Sequence, residues 1–277
     1  MTATLDRTAT GWLARRERFD VVGSTNDVVG RWLADGEAEV CVALADEQTA
    51  GRGRNGRTWT APSCAALLCS LGFRPTYLEP ERTWQLAAIV SLAMAHAAEA
   101  LAGAPRGKVR LKWPNDLVVA DGDAVRKLAG VLGETVGAGT DDPRGVIGIG
   151  VNAGWQRDEF PEDLADSMTS VTELSGGAAG ISRSELRDAL FAEFLDRLEP
   201  RVADLRAGTF PAAEWRERQL TNGTIVRLER PDGSAEIVRA IDVDAETGAL
   251  VIDSLSGEWP RRLVTVGEIR HLRLAEV

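Results

Sequence analysis

Residues 46–59 read DEQTAGRGRNGRTW, with glycines and arginines interleaved at Gly51, Arg52, Gly53, Arg54, Gly56 and Arg57. Such a backbone can approach a ligand closely, and the guanidinium groups aim fixed positive charge at it. Neither property builds a core. Three arginines so close repel one another, so the stretch calls for a negative partner, which a bound phosphate or carboxylate supplies. Two familiar readings fail on context. Gly51, Gly53 and Gly56 satisfy G-x-G-x-x-G, but the dinucleotide fingerprint opens a helix directly after a strand. Here an apolar run ends at Ala45, polar or small residues follow, and SCAALLCSLGF beyond Trp59 reads as a buried strand. A Walker A loop needs Lys-Ser/Thr after its last glycine, and none follows. A solvated basic turn or a nucleic-acid patch stays open on these letters alone.

Composition narrows the choice. The 277 residues suit one large unit plus a small one, and 44% hydrophobic content supplies a core without an unbroken apolar run near the ~18 residues of a membrane span. A net charge of -10 argues against a mainly electrostatic nucleic-acid binder, so the basic stretch is a local feature suited to a small anion. Cys41, Cys64 and Cys69 lie in apolar runs without C-x-x-C spacing and read as buried thiols of a reducing compartment. His96 and His271 stand far apart, against a zinc site or a Ser-His-Asp triad. The first twenty residues carry no signal core and are too few for a helix-turn-helix, so a cytoplasmic protein is expected.

Upstream, VVGSTNDVVGRWLADG predicts a helix capped by Ser24 or Thr25 and stopped at Gly36; those hydroxyls could equally meet a ligand. Val40–Ala45 is a strand whose polar end carries Gln48, either solvated or offering the paired donor and acceptor that a urea or amide group demands. Downstream, Glu81 to about Leu101 is an Ala-rich core helix. In KVRLKWPNDLVV, Pro114 ends a strand in a turn that presents Asn115 and Asp116, where a nucleotide-held Mg²⁺ would find an oxygen. A hairpin turn at Asp121, Gly122 and Asp123 returns through VRKLAGVLGETV, whose Lys127 protects an edge or meets a ligand. Gly130 and Gly133 mark close approach there, and GVIGIGVN ends at Asn152. Residues 158–180 read as irregular with short helical turns. Ser182–Arg206 is a helix opened by a Ser182/Glu185 capping box, with a further turn or two at Glu214–Leu220. From about Thr221, short β runs separated by Pro-Asp-Gly, Glu-Thr-Gly and Ser-Gly turns predict a small barrel of about five strands.

Taken in order, GSTN (23–26), EQTAGRGRNGRTW (47–59), KWPNDL (112–117), KLAGVLGE (127–134) and GIGVN (148–152) closely resemble the biotin protein ligases, over about residues 20–277. The resemblance implies an α+β catalytic domain, class II synthetase-like, with a mixed β-sheet packed by helices over residues 1–220, and an SH3-like C-terminal barrel over 221–277. It implies two steps. Biotin and MgATP give biotinyl-5′-AMP and pyrophosphate; a lysine of a biotin carboxyl carrier domain then attacks and releases AMP. By matching positions, Lys127, Arg54 and Arg57 would be catalytic. Ser24, Thr25, Asn26, Gln48, Arg52, Gly53, Arg54, Lys127 and Gly130 would bind biotin. ATP and the adenylate would fall to Arg54, Arg57, Trp59, Asn115, Asp116, Lys127 and Asn152, with no metal held by the protein alone and Asp116 reaching Mg²⁺ through ATP. Relatives with a repressor function carry an N-terminal winged helix-turn-helix, for which about twenty residues leave no room, so no DNA or membrane partner is expected.

The chemistry agrees with this resemblance. Biotin's carboxylate is the first nucleophile and the acceptor lysine the second, so the protein must supply positioning and positive charge at the α-phosphate. Two rivals remain: a lipoate protein ligase, which shares the acyl-adenylate logic, and a non-catalytic biotin sensor.

Overall fold

A computed structural model describes residues 3–4, 11–122, 124–177, 181–257, 259–265 and 267–271. Its larger sheet has eight strands: β1 (Ala3–Thr4), β2 (Arg15–Val22), β3 (Cys41–Gln48), β4 (Ala66–Phe73), β5 (Val109–Lys112), β6 (Asp116–Asp121), β7 (Ala124–Val136) and β8 (Arg144–Asn152), in the spatial order β1-β2-β3-β4-β8-β7-β6-β5. β2 and β3 run parallel and the other neighbours antiparallel, so the sheet is mixed.

Helices cover both faces, and the sequence shows it. Alternate residues of β3 divide between two cores: Val42 and Leu44 pack with α2 (Trp84–Ala102) and α4 (Arg183–Arg206), whereas Cys41, Ala43 and Ala45 pack with Val28, Val29, Trp32 and Leu33 of α1 (Thr25–Ala34). A strand buried on both sides needs no polar alternation, which is why CVALA and ALLCSLGF read as continuous apolar runs. The membrane-length apolar helix α2 is largely buried in that core. The Ser182/Glu185 capping box opens α4 as its letters predict. Between β8 and α4 lie short helical turns and α3 (Val171–Leu174), and after α4 comes α5 (Ala212–Glu217).

Beyond α5, β9 (Ile225–Glu229), β10 (Ala235–Val243), β11 (Leu250–Asp253), β12 (Arg262–Val264) and β13 (Glu268–His271) form a five-stranded antiparallel sheet, order β12-β11-β10-β9-β13. It docks against the β5–β6 turn and α5: the Trp113 indole N–H donates to the Gly248 carbonyl at 3.1 Å, and Arg216 pairs with Asp242. The α+β class is thus as expected.

One strand is unanticipated, one cysteine reading changes, and the Asp121–Asp123 hairpin turn joins β6 to β7 as expected. β2 has no counterpart in the sequence reading, because RRERFDVV carries five charges before its first aliphatic residue; only Glu17, Phe19 and Val22 turn inward. Cys64 is half-buried, ahead of β4 and not within it, while burial pushes the Cys41 and Cys69 thiols up to about 12. In the turn expected at Asp121–Asp123, Gly122 has a φ of 57°; Asp123 lies outside the described residues, as do 178–180 of the irregular stretch.

Candidate active site

On the α1 side of the sheet is a cavity of about 440 Å³, a size that suits a small-molecule ligand. All fourteen residues singled out in the sequence line it: Ser24, Thr25, Asn26, Gln48, Arg52, Gly53, Arg54, Arg57, Trp59, Asn115, Asp116, Lys127, Gly130 and Asn152. They converge because the start of α1, the ends of β3 and β8, the β5–β6 turn and the middle of β7 meet around one cavity.

The floor is built from glycines. In β8, Ile147, Ile149 and Val151 enter the α2 core, so the two-residue period sends Gly148 and Gly150 to the cavity side. A Cβ on Gly148 would stand 2.2 Å from Asn26 Oδ1, and one on Gly150 would stand 2.5 Å from Trp59 Cε2. Lys127 and Gly130 are three apart and would face opposite sides of a regular strand. A bulge resolves this: β6 pairs Val118 with Lys127 and Leu117 with Ala129, leaving Leu128 unopposed and both Lys127 and Gly130 on the cavity side.

At one end lies a buried polar group. Ser24 is the N-cap residue of α1, yet its side chain makes no capping bond; it is buried and lines the cavity. Gln48 Oε1 accepts from the Thr25 N–H at 2.7 Å and from the Thr25 hydroxyl at 2.9 Å. A backbone N–H can only donate, so the orientation of the Gln48 amide is fixed and both its lone pairs are used. Gln48 therefore offers a ligand its Nε2 donor alone, and not the donor–acceptor pair that the sequence suggested. Asn26 is also committed: Nδ2 donates to Glu134 Oε2 at 2.8 Å, and Oδ1 faces the Ser70 hydroxyl at 2.6 Å. The same hydroxyl lies 2.7 Å from Thr25 Oγ1. Ser70 is fully buried in β4 and escaped the sequence reading as one polar letter in an apolar run. Glu134 went unremarked as well.

The basic stretch, between β3 and β4, is a small hairpin. Trp59 N donates to Gly51 O (3.0 Å), Gly53 N to Arg57 O (2.7 Å) and Arg57 N to Arg54 O (3.2 Å), closed by Asn55 and Gly56 with φ of 56° and 73°. Two successive positive φ values are what an Asn-Gly hairpin turn requires, a signal present in the letters. Gly51 is obligatory for a different reason, since a Cβ there would lie 2.4 Å from Trp59 O. Arg52 reaches back to Asp27 (2.8 Å) and Glu134 (3.3 Å), which hold its pKa above the ordinary value, Asp27 most strongly. Arg54 reaches across to Asn115 Oδ1 (3.5 Å) and the Gly267 carbonyl (3.2 Å), so the hairpin touches the C-terminal sheet, whose Ile269 also lines the cavity.

At the centre, Lys127 Nζ stands 2.7 Å from Asp116 Oδ1 and 5.5 Å from the Trp59 ring centroid. The Trp59 indole nitrogen and Asn152 Oδ1, buried atoms of two cavity-lining residues, have no hydrogen-bond partner among the described residues. Asn152 Nδ2 meanwhile donates to the carbonyls of Thr169 (3.0 Å) and Lys127 (3.3 Å), bracing the backbone that carries Lys127. No cluster of three His, Cys, Asp or Glu able to hold a metal occurs among the described residues.

The model of the Biotin/lipoate A/B protein ligase family matches residues 19–152, the stretch that carries the α1 start, the Gly-Arg hairpin, Lys127 and Asn152. The chain is 34% identical over 268 residues to a biotin--[acetyl-CoA-carboxylase] ligase of Mycobacterium tuberculosis, covering 95% of this chain and 91% of that one. It is 32% identical over 244 residues to the enzyme of the same name from Paracoccus denitrificans, covering 86% and 92%. Among solved structures, a biotin protein ligase from Aquifex aeolicus in complex with biotin and ATP superposes with a TM-score of 0.71 at 25% identity, covering 93% of this chain and 98% of that one. The chain belongs to the biotin protein ligases, and it is a ligase.

Proposed function

We propose that this ligase joins biotin to a specific lysine of a biotin carboxyl carrier domain of acyl-CoA carboxylases, through a biotinyl-5′-AMP intermediate. The observation that carries the reading is the meeting, in one cavity, of a buried polar end, a central lysine and two hairpin arginines. Neither step needs a protein nucleophile.

In the first step the biotin carboxylate attacks the α-phosphate and pyrophosphate leaves. Ser24, Thr25 and Gln48 Nε2 face the ureido ring, with Thr25 fixing the Gln48 amide and Asn26 beside them on the cavity wall. Lys127 sits between carboxylate and α-phosphate, where its charge is worth most as negative charge builds on the phosphoryl oxygens. Arg54 and Arg57 take the phosphates, Trp59 and Asn152 the adenine side, and Gly53 and Gly130 leave room for close approach. Asn115 bonds to Val131 through both its backbone and its side chain, which fixes the turn that presents Asp116. Mg²⁺ would arrive with ATP and neutralise its phosphates. Asp116 is the one carboxylate among the described lining residues and is already paired with Lys127, so the rest of the coordination would fall to phosphate and water. In the second step an uncharged acceptor lysine attacks the carbonyl of the mixed anhydride and AMP leaves.

We read residues 1–220 as the catalytic domain and 221–277 as an SH3-like barrel that closes the nucleotide side through Gly267 and Ile269. We expect the reaction in the cytoplasm, without DNA or membrane partners; the acidic net charge favours this. The test is exchange of radiolabelled pyrophosphate into ATP. Biotin promotes exchange and lipoate does not if the reading holds; exchange driven by lipoate, or biotin binding without exchange, overturns it.

A further inference from the structure

We propose that Glu134, which does not line the cavity, is a positioning residue for this reaction: its carboxylate clamps the basic hairpin, through Arg52, to the Asn26 end of the ligand floor. Glu134 lies on the cavity side of β7 in the same two-residue register as Gly130. One carboxylate serves two partners there. Oε2 accepts from Asn26 Nδ2 at 2.8 Å, and Oε1 faces Arg52 Nη2 at 3.3 Å. Asn26 is held from its other end by the fully buried Ser70 hydroxyl, so this side of the floor is rigid. Arg52 is an integral part of the hairpin, bridged to Thr58 across it, and it also pairs with Asp27, the residue after Asn26. Two carboxylates, one on β7 and one on α1, thus pin the hairpin over the cavity. Closing the hairpin and fixing the ureido end of the pocket become one event.

The Arg52 and Glu134 side chains are 39% and 41% exposed, so the ion pair is screened and its effect is modest. Glu134→Gln isolates it: a glutamine oxygen still accepts from Asn26, while the charge facing Arg52 is lost. The inference rests on the ligase reading, and two measurements keep the two apart. In biotin-dependent pyrophosphate exchange, Glu134→Gln raises the KM for biotin about two- to fivefold, with kcat unchanged, the range an exposed pair supports. That difference disappears as salt approaches about 1 M, where the screening length is about 3 Å. In the ligand-free protein, trypsin cleaves after Arg54 and Arg57 faster in Glu134→Gln by the same two- to fivefold factor. Equal trypsin rates in folded native and variant proteins, or a KM difference that persists at high salt, overturn the clamp. Absence of exchange in the native protein overturns the ligase reading and leaves the trypsin comparison to decide the clamp.

Discussion

Gly150→Ala tests the seat of Trp59 by adding one methyl group. The Cβ would stand 2.5 Å from Trp59 Cε2, 2.7 Å from Nε1 and 2.8 Å from Cζ2, against an ordinary contact of 3.4 Å or more. The ring must therefore retreat by about 0.9 Å or more. A methyl group on Gly130 would likewise stand 3.2 Å from Cζ3, so the ring lies over both glycines, and lifting it off Gly150 pulls on the hairpin that carries it. Gly150 has no positive φ, so alanine suits the backbone and the penalty is steric alone. Overpacking of this kind costs about 1–3 kcal/mol. Felt at the bound transition state, that is roughly a 5- to 150-fold loss in kcat/KM for ATP. Pyrophosphate exchange reads the loss, and thermal unfolding checks that the protein stays folded. Gly133→Ala is the control: its methyl meets only Ile147 Cδ1 at 3.4 Å, and activity should hold. In a Trp59→Ala background the clash has no partner, so Gly150→Ala should cost nothing further. An unchanged kcat/KM, or an equal loss with and without Trp59, would refute the reasoning.

Other expectations follow from groups outside the cavity. Glu99 and Arg218 form a bidentate pair at 2.8 and 2.9 Å with both side chains 5% exposed; Glu99→Ala strands a buried guanidinium and should cost about 3–5 kcal/mol in urea unfolding. His96 donates to Glu214 at 2.5 Å, and burial first, then Arg218, lower its pKa below the ordinary 6.5 against the pull of Glu214. The unfolded chain then binds the proton more tightly, so stability should fall as pH drops below about 6.5 toward the folded pKa, and His96→Gln should remove that slope in a pH series of denaturation midpoints.

The site was more legible in the letters than the sheet that carries it. Cavity-lining residues such as Arg54, Lys127 and Asn115–Asp116 have side chains or turn chemistry that a core does not need, so they stand out locally. Strand order depends on contacts far apart in sequence: nothing in RRERFDVV announces a strand parallel to β3, and nothing in KLAG announces that Leu128 bulges so that Lys127 and Gly130 share a face. Ser70 and Glu134 were missed because their work lies in partners distant in sequence, Thr25, Asn26 and Arg52, and not in their own neighbourhoods. Gln48 and Asn26 were legible as polar site residues, but the contacts that fix which atoms they offer a ligand appear only in three dimensions.

The most direct test of the central claim is biotin transfer to a purified carboxylase carrier domain, followed with and without MgATP for the native chain and for Lys127→Ala. The account predicts labelling that requires ATP and a first step slowed by about 10²- to 10³-fold in the variant, the scale of a lost transition-state donor. Folded native protein that binds biotin but labels nothing, or a Lys127→Ala variant as fast as the native chain, would contradict it.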